Sequence, residues 1–418
     1  MRIRCFWCLI ATTTVALCAP VSPASAVYQT RRTELAKTAP DGVIVLFGRP
    51  DRDSDDVRDG FFQDPNFYYL TGWKQPGAIL LIEETRQVLF LPKHNLDREK
   101  WTGPRAAPDD SGIESLTGFD TVLPVERFEG ELQSALERHS KIDTAGDEAA
   151  ARLRALAPMR DVVDAQRALA RLRMVKSPEE IEFLQHAADV SAAAHQAAWK
   201  RAAPGVYEFQ VAAAFTAFYL DHGCERAAYP PIAGSGPNSI YLHYQRNERR
   251  MDRGDLLLID AGAQCAGYSA DITRTIPIGG KFSKRQREIY EIVLGAQKAV
   301  IAAIKPGLMI GTRAANSIYQ VAYDYINSHG TDLHGDPLGK YFTHGISHQI
   351  GLDVHDASDP ALPLAEGMVI SVEPGIYIPE EHIGIRIEDM VLVTKDGARV
   401  LTASLPREAG DIEKALAP

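Results

Sequence analysis

The sequence predicts an α+β protein in which a smaller mixed α/β unit precedes a duplicated helix-helix-strand unit. Three observations carry that prediction. The chain has 418 residues, enough for two cores on a prior of roughly 100 to 200 residues per domain. Its texture changes near residue 175, from short apolar runs broken by Pro, Gly and charges to long periodic segments with explicit caps. Beyond that point one plan occurs twice, about one hundred residues apart. A composition of 45% hydrophobic and 24% charged residues argues against wholesale disorder and against a multi-span membrane protein. The formal charge of -10 argues against nucleic acid as the main partner, because phosphate binding needs a basic excess or stripe.

Residues 1–26 read as an export signal rather than as part of the fold. Arg2 and Arg4 form a basic start, Cys5 to Ala19 is apolar, and Ala24-Ser25-Ala26 is a small-x-small cleavage pattern. The run is too short to remain as a spanning helix, so no stable membrane insertion is expected after cleavage, and the product is expected to be periplasmic or secreted. Cys5, Cys8 and Cys18 leave with the signal; Cys224 and Cys265 remain, and the sequence leaves their pairing open.

The first unit, 27–173, is expected to hold strands at Gly42 to Gly48, Ala78 to Ile82 and Val88 to Leu91. Helices are expected at Glu129 to Arg138 and Glu148 to Leu156, with Arg98 to Ser111 as a loop containing Gly103, Pro104 and Pro108. The second unit, 174–418, opens with Ser177-Pro178-Glu179-Glu180, which supplies an N-cap, Pro at the first helical position and Glu at the third. That helix stops by Pro204-Gly205, and a second runs from Glu208 to His222-Gly223. The plan repeats with Ser283 as cap and Gln286 at its third position, a stop at Pro306-Gly307, and a further helix ending at His329-Gly330. His186 and His195 fall inside the first of these helices and read as structural.

The strand-like segments after each helix pair carry the polar chemistry. Leu256 to Asp260 is a buried strand ending in an acid; after a turn at Ala266-Gly267, Ser269 to Thr275 reads as a second strand containing Asp271. Two carboxylates eleven residues apart on the arms of one hairpin can stand nearly opposite each other, where they would repel without a cation. Thr343 to Asp356 concentrates His344, His348 and His355 in a strand-like stretch. Val369 to Gly375 ends in Glu373 at a turn, and Ile385 to Val391 alternates so that Arg386 and Glu388 share a face. Two Asp, two Glu and imidazole form a hard donor set suited to a pair of Mn²⁺, Co²⁺, Fe²⁺ or Zn²⁺ ions, and the lack of thiolates argues against structural zinc. Two such ions can share a hydroxide and polarise a carbonyl, which is metal-assisted hydrolysis.

In this order the motifs resemble those of the pita-bread metallopeptidases, in their Xaa-Pro aminopeptidase (aminopeptidase P) and prolidase branch. The resemblance is strong from about 174 to 396 and weaker before it, where Asn66 to Trp73 is similar to that branch's first domain. It implies a pita-bread catalytic domain with five metal ligands: Asp260, Asp271, His348, Glu373 and Glu388, with Asp271 and Glu388 bridging two divalent ions, Mn²⁺ first among them. It further implies that His243 and His355 bind substrate and stabilise the tetrahedral intermediate. Glu373 would take a proton from the attacking water, Arg386 would buttress the site, and His344 and Tyr377 would stand at the substrate.

The implied substrates are proline-containing peptides; members of the family commonly associate through the first domain, and the sequence leaves the oligomeric state of this chain open. Asp356 to Val372, where eukaryotic-type prolidases place an arginine for a dipeptide carboxylate, contains no Lys or Arg. An open-ended peptide is therefore favoured over a dipeptide, with the prolidase reading as the alternative. Methionine aminopeptidase lacks such a first domain, creatinase uses no metal, and non-catalytic pita-bread relatives lose ligands.

Overall fold

The computed structural model describes residues 25–51, 60–311 and 316–417. All of the expected export signal except Ser25 and Ala26 therefore lies outside the described residues. Ser25 and Ala26 begin the first helix, Ser25–Ala36.

The first unit is a six-stranded mixed sheet. Its strands are β1 (Gly42–Phe47), β2 (Ile79–Ile82), β3 (Gln87–Leu91), β4 (Thr121–Pro124), β5 (Lys141–Thr144) and β6 (Asp161–Asp164), in the order β4-β3-β2-β1-β5-β6. β1–β2 and β2–β3 are antiparallel, whereas β1–β5, β3–β4 and β5–β6 are parallel. Val43, Val45, Leu81 and Phe90 turn one face of this sheet to Phe128, Leu132 and Leu153 of the covering helices Phe128–Leu136 and Asp147–Leu156. The stretch expected as a loop from Arg98 differs. Leu96–Thr102 is a helix, because the Asn95 side chain accepts from the backbone N–H of Arg98 and caps it, and the loop begins only at Gly103.

Helices Pro178–Trp199, Glu208–Asp221, Lys284–Ala303 and Ile318–Ser328 form the two expected pairs. Ser177 and Glu180 close a capping box, as do Ser283 and Gln286, which satisfies N–H groups that the first turn leaves unpaired. Between the pairs lie β7 (Arg226–Ala227), β8 (Ile232–Ser235), β9 (Leu256–Asp260), β10 (Ala263–Cys265), β11 (Tyr268–Ser269) and β12 (Thr273–Pro277). After the second pair come β13 (Val369–Val372), β14 (Gly375–Ile378), β15 (Ile383–Arg386), β16 (Asp389–Thr394) and β17 (Gly397–Val400). They form three-stranded sheets β12-β9-β8, β11-β10-β7 and β13-β16-β17, and a hairpin β14-β15.

The two halves meet along a seam between β12 and the β15–β16 connection. Glu388 N–H donates to Thr273 O, and Thr275 Oγ accepts from Arg386 N–H. Gly384 permits the approach of β15 to Ser239, since a Cβ there would stand 1.9 Å from the Ser239 carbonyl oxygen. Arg274, fully buried, locks the seam: it donates to Asp389 at 2.7 Å and to the carbonyls of Thr273, Glu388, Leu405 and Pro406. Asp389 also accepts from Thr402 and Arg407.

Three expected strands are shorter or absent. Asp271 lies in the connection between β11 and β12, Glu388 in the break between β15 and β16, and the histidine stretch 343–356 is irregular backbone apart from a bridge at Gln349. In each case the backbone is held by bonds other than a regular ladder. The histidine stretch, for example, uses Ser371 N–H to His348 O and Glu373 N–H to Ile346 O.

Because removing one partner of a buried pair strands the other charge, Asp389→Ala is expected to cost about 3–5 kcal/mol. A fall in the urea midpoint at unchanged slope is the measurement, and a variant as stable as the parent contradicts the role given to Arg274.

Candidate metal centre

The expected hairpin brings Asp260 and Asp271 together from the arms flanking a smaller hairpin. β10 and β11 pair Cys265 with Tyr268 around the two-residue turn Ala266-Gly267, both residues at positive φ. Gly262 lets the arms close: a Cβ there would lie 1.8 Å from the Ala270 carbonyl oxygen. β9 pairs with β12 so that Asp260 stands opposite Thr273. The Tyr229 hydroxyl spans the two acids, 2.5 Å from an oxygen of each.

The second half supplies the remaining acids and the imidazole. His348 Nε2 is 3.3 Å from Asp271 and 3.4 Å from Glu373. Donor atoms of Asp260, Asp271 and Glu388 lie within 4.8 Å of one another, as do those of His348, Glu373 and Glu388. His348, Asp271 and His355 form a third such group, and the rings of His348 and His355 stand 4.1 Å apart. All five expected ligands therefore converge, and their hard oxygen and imidazole donors suit divalent ions.

Arg386 is the principal positive counterpart. It donates to Asp260 at 2.5 Å, to the Tyr377 hydroxyl at 2.9 Å and to Thr273 Oγ at 3.0 Å, and Thr273 in turn donates to Glu388 at 2.7 Å. His344 Nε2 lies 2.9 Å from the Tyr377 hydroxyl and its Nδ1 2.7 Å from the Gly345 carbonyl. A carbonyl can only accept, so the Nδ1 proton points there and Nε2 accepts from Tyr377. Tyr377 is 5% exposed and joins Arg386 to His344 through its hydroxyl. His243 and His355 are exposed at the mouth, where His243 acts electrostatically on both His355 and His344.

Burial dominates the electrostatics. It pushes Glu388 well above the usual carboxylate range, Glu373 up to about 7 and Asp260 up to about 6. Neighbouring acids add to each shift, while Arg386 opposes it. Asp271 is instead held low: burial would raise it, but the hydrogen bond and charge of His348, with the Tyr229 hydroxyl and the Arg386 charge, together outweigh burial. His348 correspondingly rises to about 9, its burial outweighed by Asp271 and Glu373. Burial lowers His344, to about 4, and His355, which keeps both imidazoles neutral.

Three residues of the site escaped sequence reasoning. Tyr229 precedes a Pro-Pro pair and reads as a turn residue, Thr273 lies unremarked inside the strand expected around Asp271, and Ser371, which donates to Glu373 at 3.2 Å, looks like strand. Only the arginine and acids opposite them reveal their use.

Comparison with known proteins agrees with this arrangement. Residues 182–395 match the model of metallopeptidase family M24, and residues 28–143 that of the aminopeptidase P N-terminal domain. The chain is 36% identical to an Xaa-Pro aminopeptidase of Haemophilus influenzae, over 92% of this chain and 96% of that one. It is 33% identical to an Xaa-Pro dipeptidase of Pyrococcus horikoshii, over 81% of this chain and 91% of that one. The structure of aminopeptidase P from Escherichia coli with the inhibitor Pro-Leu superposes with a TM-score of 0.84 at 30% identity, covering 95% of this chain and 99% of that one. With a pita-bread fold, a converging set of carboxylate and imidazole donors and full-length relatives of this kind, the chain belongs to metallopeptidase family M24.

Proposed function

We propose that the chain is an exported Xaa-Pro aminopeptidase that hydrolyses the bond between the first residue and proline in open-ended peptides. The observation that carries this reading is the convergence of Asp260, Asp271, His348, Glu373 and Glu388 around a buried Arg386. These five would hold two divalent ions, with Asp271 and Glu388 shared between them and Mn²⁺ the ion best matched to so many oxygens. When bound, such a pair polarises a carbonyl and makes water acidic enough to attack at neutral pH.

The chain's own groups do the rest. Glu373 accepts the proton of the attacking water and passes it on toward the leaving proline nitrogen. His243 and His355, exposed at the mouth, donate hydrogen bonds to the substrate carbonyl as negative charge develops on its oxygen. Arg386 fixes Asp260 directly and Glu388 through Thr273, while its bond to Tyr377 sets the ring of His344. His344 and Tyr377 thereby border the substrate from a fixed position.

The preference for longer peptides rests on the segment Asp356 to Val372. It has no Lys or Arg of its own, and the cations that reach it are already paired: Arg167 and Arg171 with Asp359, Arg173 and Lys176 with Asp356. The dipeptidase reading needs an unengaged cation there for a product-side carboxylate. Export is supported by the signal pattern of 1–26 and by the disulfide Cys224–Cys265, a bond that persists in oxidising compartments. No helix among the described residues is long and apolar enough to cross a membrane.

Asp271→Asn is expected to abolish peptide turnover while leaving the fold intact; full turnover, with an unchanged circular dichroism spectrum, would sink the ligand assignment. Xaa-Pro-Yaa peptides are expected to be cleaved faster than Xaa-Pro dipeptides in a side-by-side assay with Mn²⁺, Co²⁺ and Zn²⁺. Equal or better dipeptide turnover favours the dipeptidase.

A third expectation concerns pH. Glu373 and Asp260 have raised values in the folded metal-free chain, so the stability tied to their protonated forms is complete below the ordinary carboxylate range. It is lost as pH rises through about 6 and about 7. Added Mn²⁺ should therefore raise the melting temperature more above that window than below it, and calorimetry finding a pH-independent increment would contradict the assignment.

A further inference from the structure

A second group of metal-ligand side chains lies apart from the carboxylate centre. Cys224 follows the helix Glu208–Asp221 and Cys265 ends β10; Glu225 N–H donates to Gln264 O at 3.0 Å, which sets the two cysteines side by side across the β7–β10 ladder. Their sulfurs are bonded to each other. His186, on the helix Pro178–Trp199, brings a ring nitrogen to within 4.8 Å of both sulfurs. The three residues are 8%, 4% and 2% exposed for His186, Cys224 and Cys265 respectively.

The imidazole is the informative member. Among the described residues His186 makes no hydrogen bond, although it is more than nine-tenths buried. Its ring nitrogens are not among the fully buried polar atoms that lack a partner, so an ion reaching them would displace no protein hydrogen bond. Burial also lowers its proton affinity, which keeps the ring in the neutral form a metal requires. Two sulfurs and one neutral imidazole are the soft donor set that the carboxylate centre lacks.

We propose that His186, Cys224 and Cys265 form a redox-gated soft-metal site, closed while the two sulfurs are bonded and open to a thiophilic divalent cation of the zinc and cadmium class once they are reduced. A dithiol reductant opens it. Its thiolate attacks one cysteine sulfur, the S–S bond breaks, and its second thiol resolves the mixed disulfide. Two electrons and two protons pass to Cys224 and Cys265, and the reductant leaves as its own disulfide. Metal uptake then displaces the two thiol protons and leaves two thiolates and one imidazole as ligands, with one tetrahedral position for a small molecule.

Access is available beside the pair. Glu225 and Gln264, the immediate neighbours of the two cysteines, line a cavity of about 200 Å³ between the two units, faced by Phe62 and Tyr68. The softness of the sulfurs separates the two sites: Mn²⁺ favours the oxygen centre, and Cd²⁺ or Zn²⁺ competes for the thiolates.

The test uses the purified full chain, reduced with a dithiol, freed of it without air, and titrated with Cd²⁺ while thiolate-to-cadmium charge-transfer absorption is recorded. The reduced chain should develop this absorption to a one-to-one end point and the oxidised chain should not, since oxygen and nitrogen ligands give no such band. Cys224→Ser or Cys265→Ser should remove the two-thiolate signal. His186→Asn, which keeps both thiols, should weaken Cd²⁺ binding by at least about tenfold, the smallest loss seen even for groups one step removed from a metal. No charge-transfer band in the reduced chain, equal affinity in His186→Asn, or loss of near-ultraviolet circular dichroism on reduction alone would each overturn the proposal.

Discussion

Four carboxylates share one pocket, and the rest of the catalytic half is arranged to make that arrangement tolerable. Asp260, Asp271 and Glu388 are buried and Glu373 is partly so, while the guanidinium and imidazole in direct contact with them are Arg386 and His348. Unpaired, such charges would cost several kcal/mol each. The raised proton affinity of Asp260, Glu373 and Glu388 is the same cost expressed as pKa. Divalent cations, which the family implies, would answer it better than protons do.

That constraint explains the precision of the seam. Asp260 and Asp271 belong to one half of the duplication, Glu373 and Glu388 to the other, and their donor atoms must meet within a few ångströms. Arg274 and Asp389, both buried, lock β12 to the start of β16 on either side of Glu388. Thr273 links Arg386 to Glu388 at the same level. Glycines 262 and 384 have no Cβ where the backbones of facing segments approach most closely. The site is thus built on hydrogen-bonded strand ends rather than on loops alone.

The first unit is joined to this half by charge as well as by apolar packing. Arg31 pairs with Glu180 at 3.0 Å, and Arg173 bonds Asn66, Asp353 and Asp356, tying the segment next to His355 to the first unit. Through these contacts helices of the first unit bear on the segment that carries His355.

Sequence by itself determined the periodic and the punctuated features. The capped helix pairs, the apolar strands ending in Asp260 and before Glu373 and the turn at Ala266-Gly267 follow from local rules that need no distant partner, whereas the choice of ligands, His348 among three histidines above all, came from the resemblance of the motifs to a family. Tertiary structure decided what depends on approach between halves. It broke the expected strands at Asp271, which lies between the β10–β11 and β9–β12 ladders, and at Glu388, whose N–H bonds across the seam to Thr273. It gave Tyr229, Thr273 and Tyr377 their hydroxyl partners, and it joined Cys224 to Cys265, forty-one residues apart. Hydrogen bonds and sulfur bonds between residues far apart in sequence leave no period and no motif, so only the folded chain could display them.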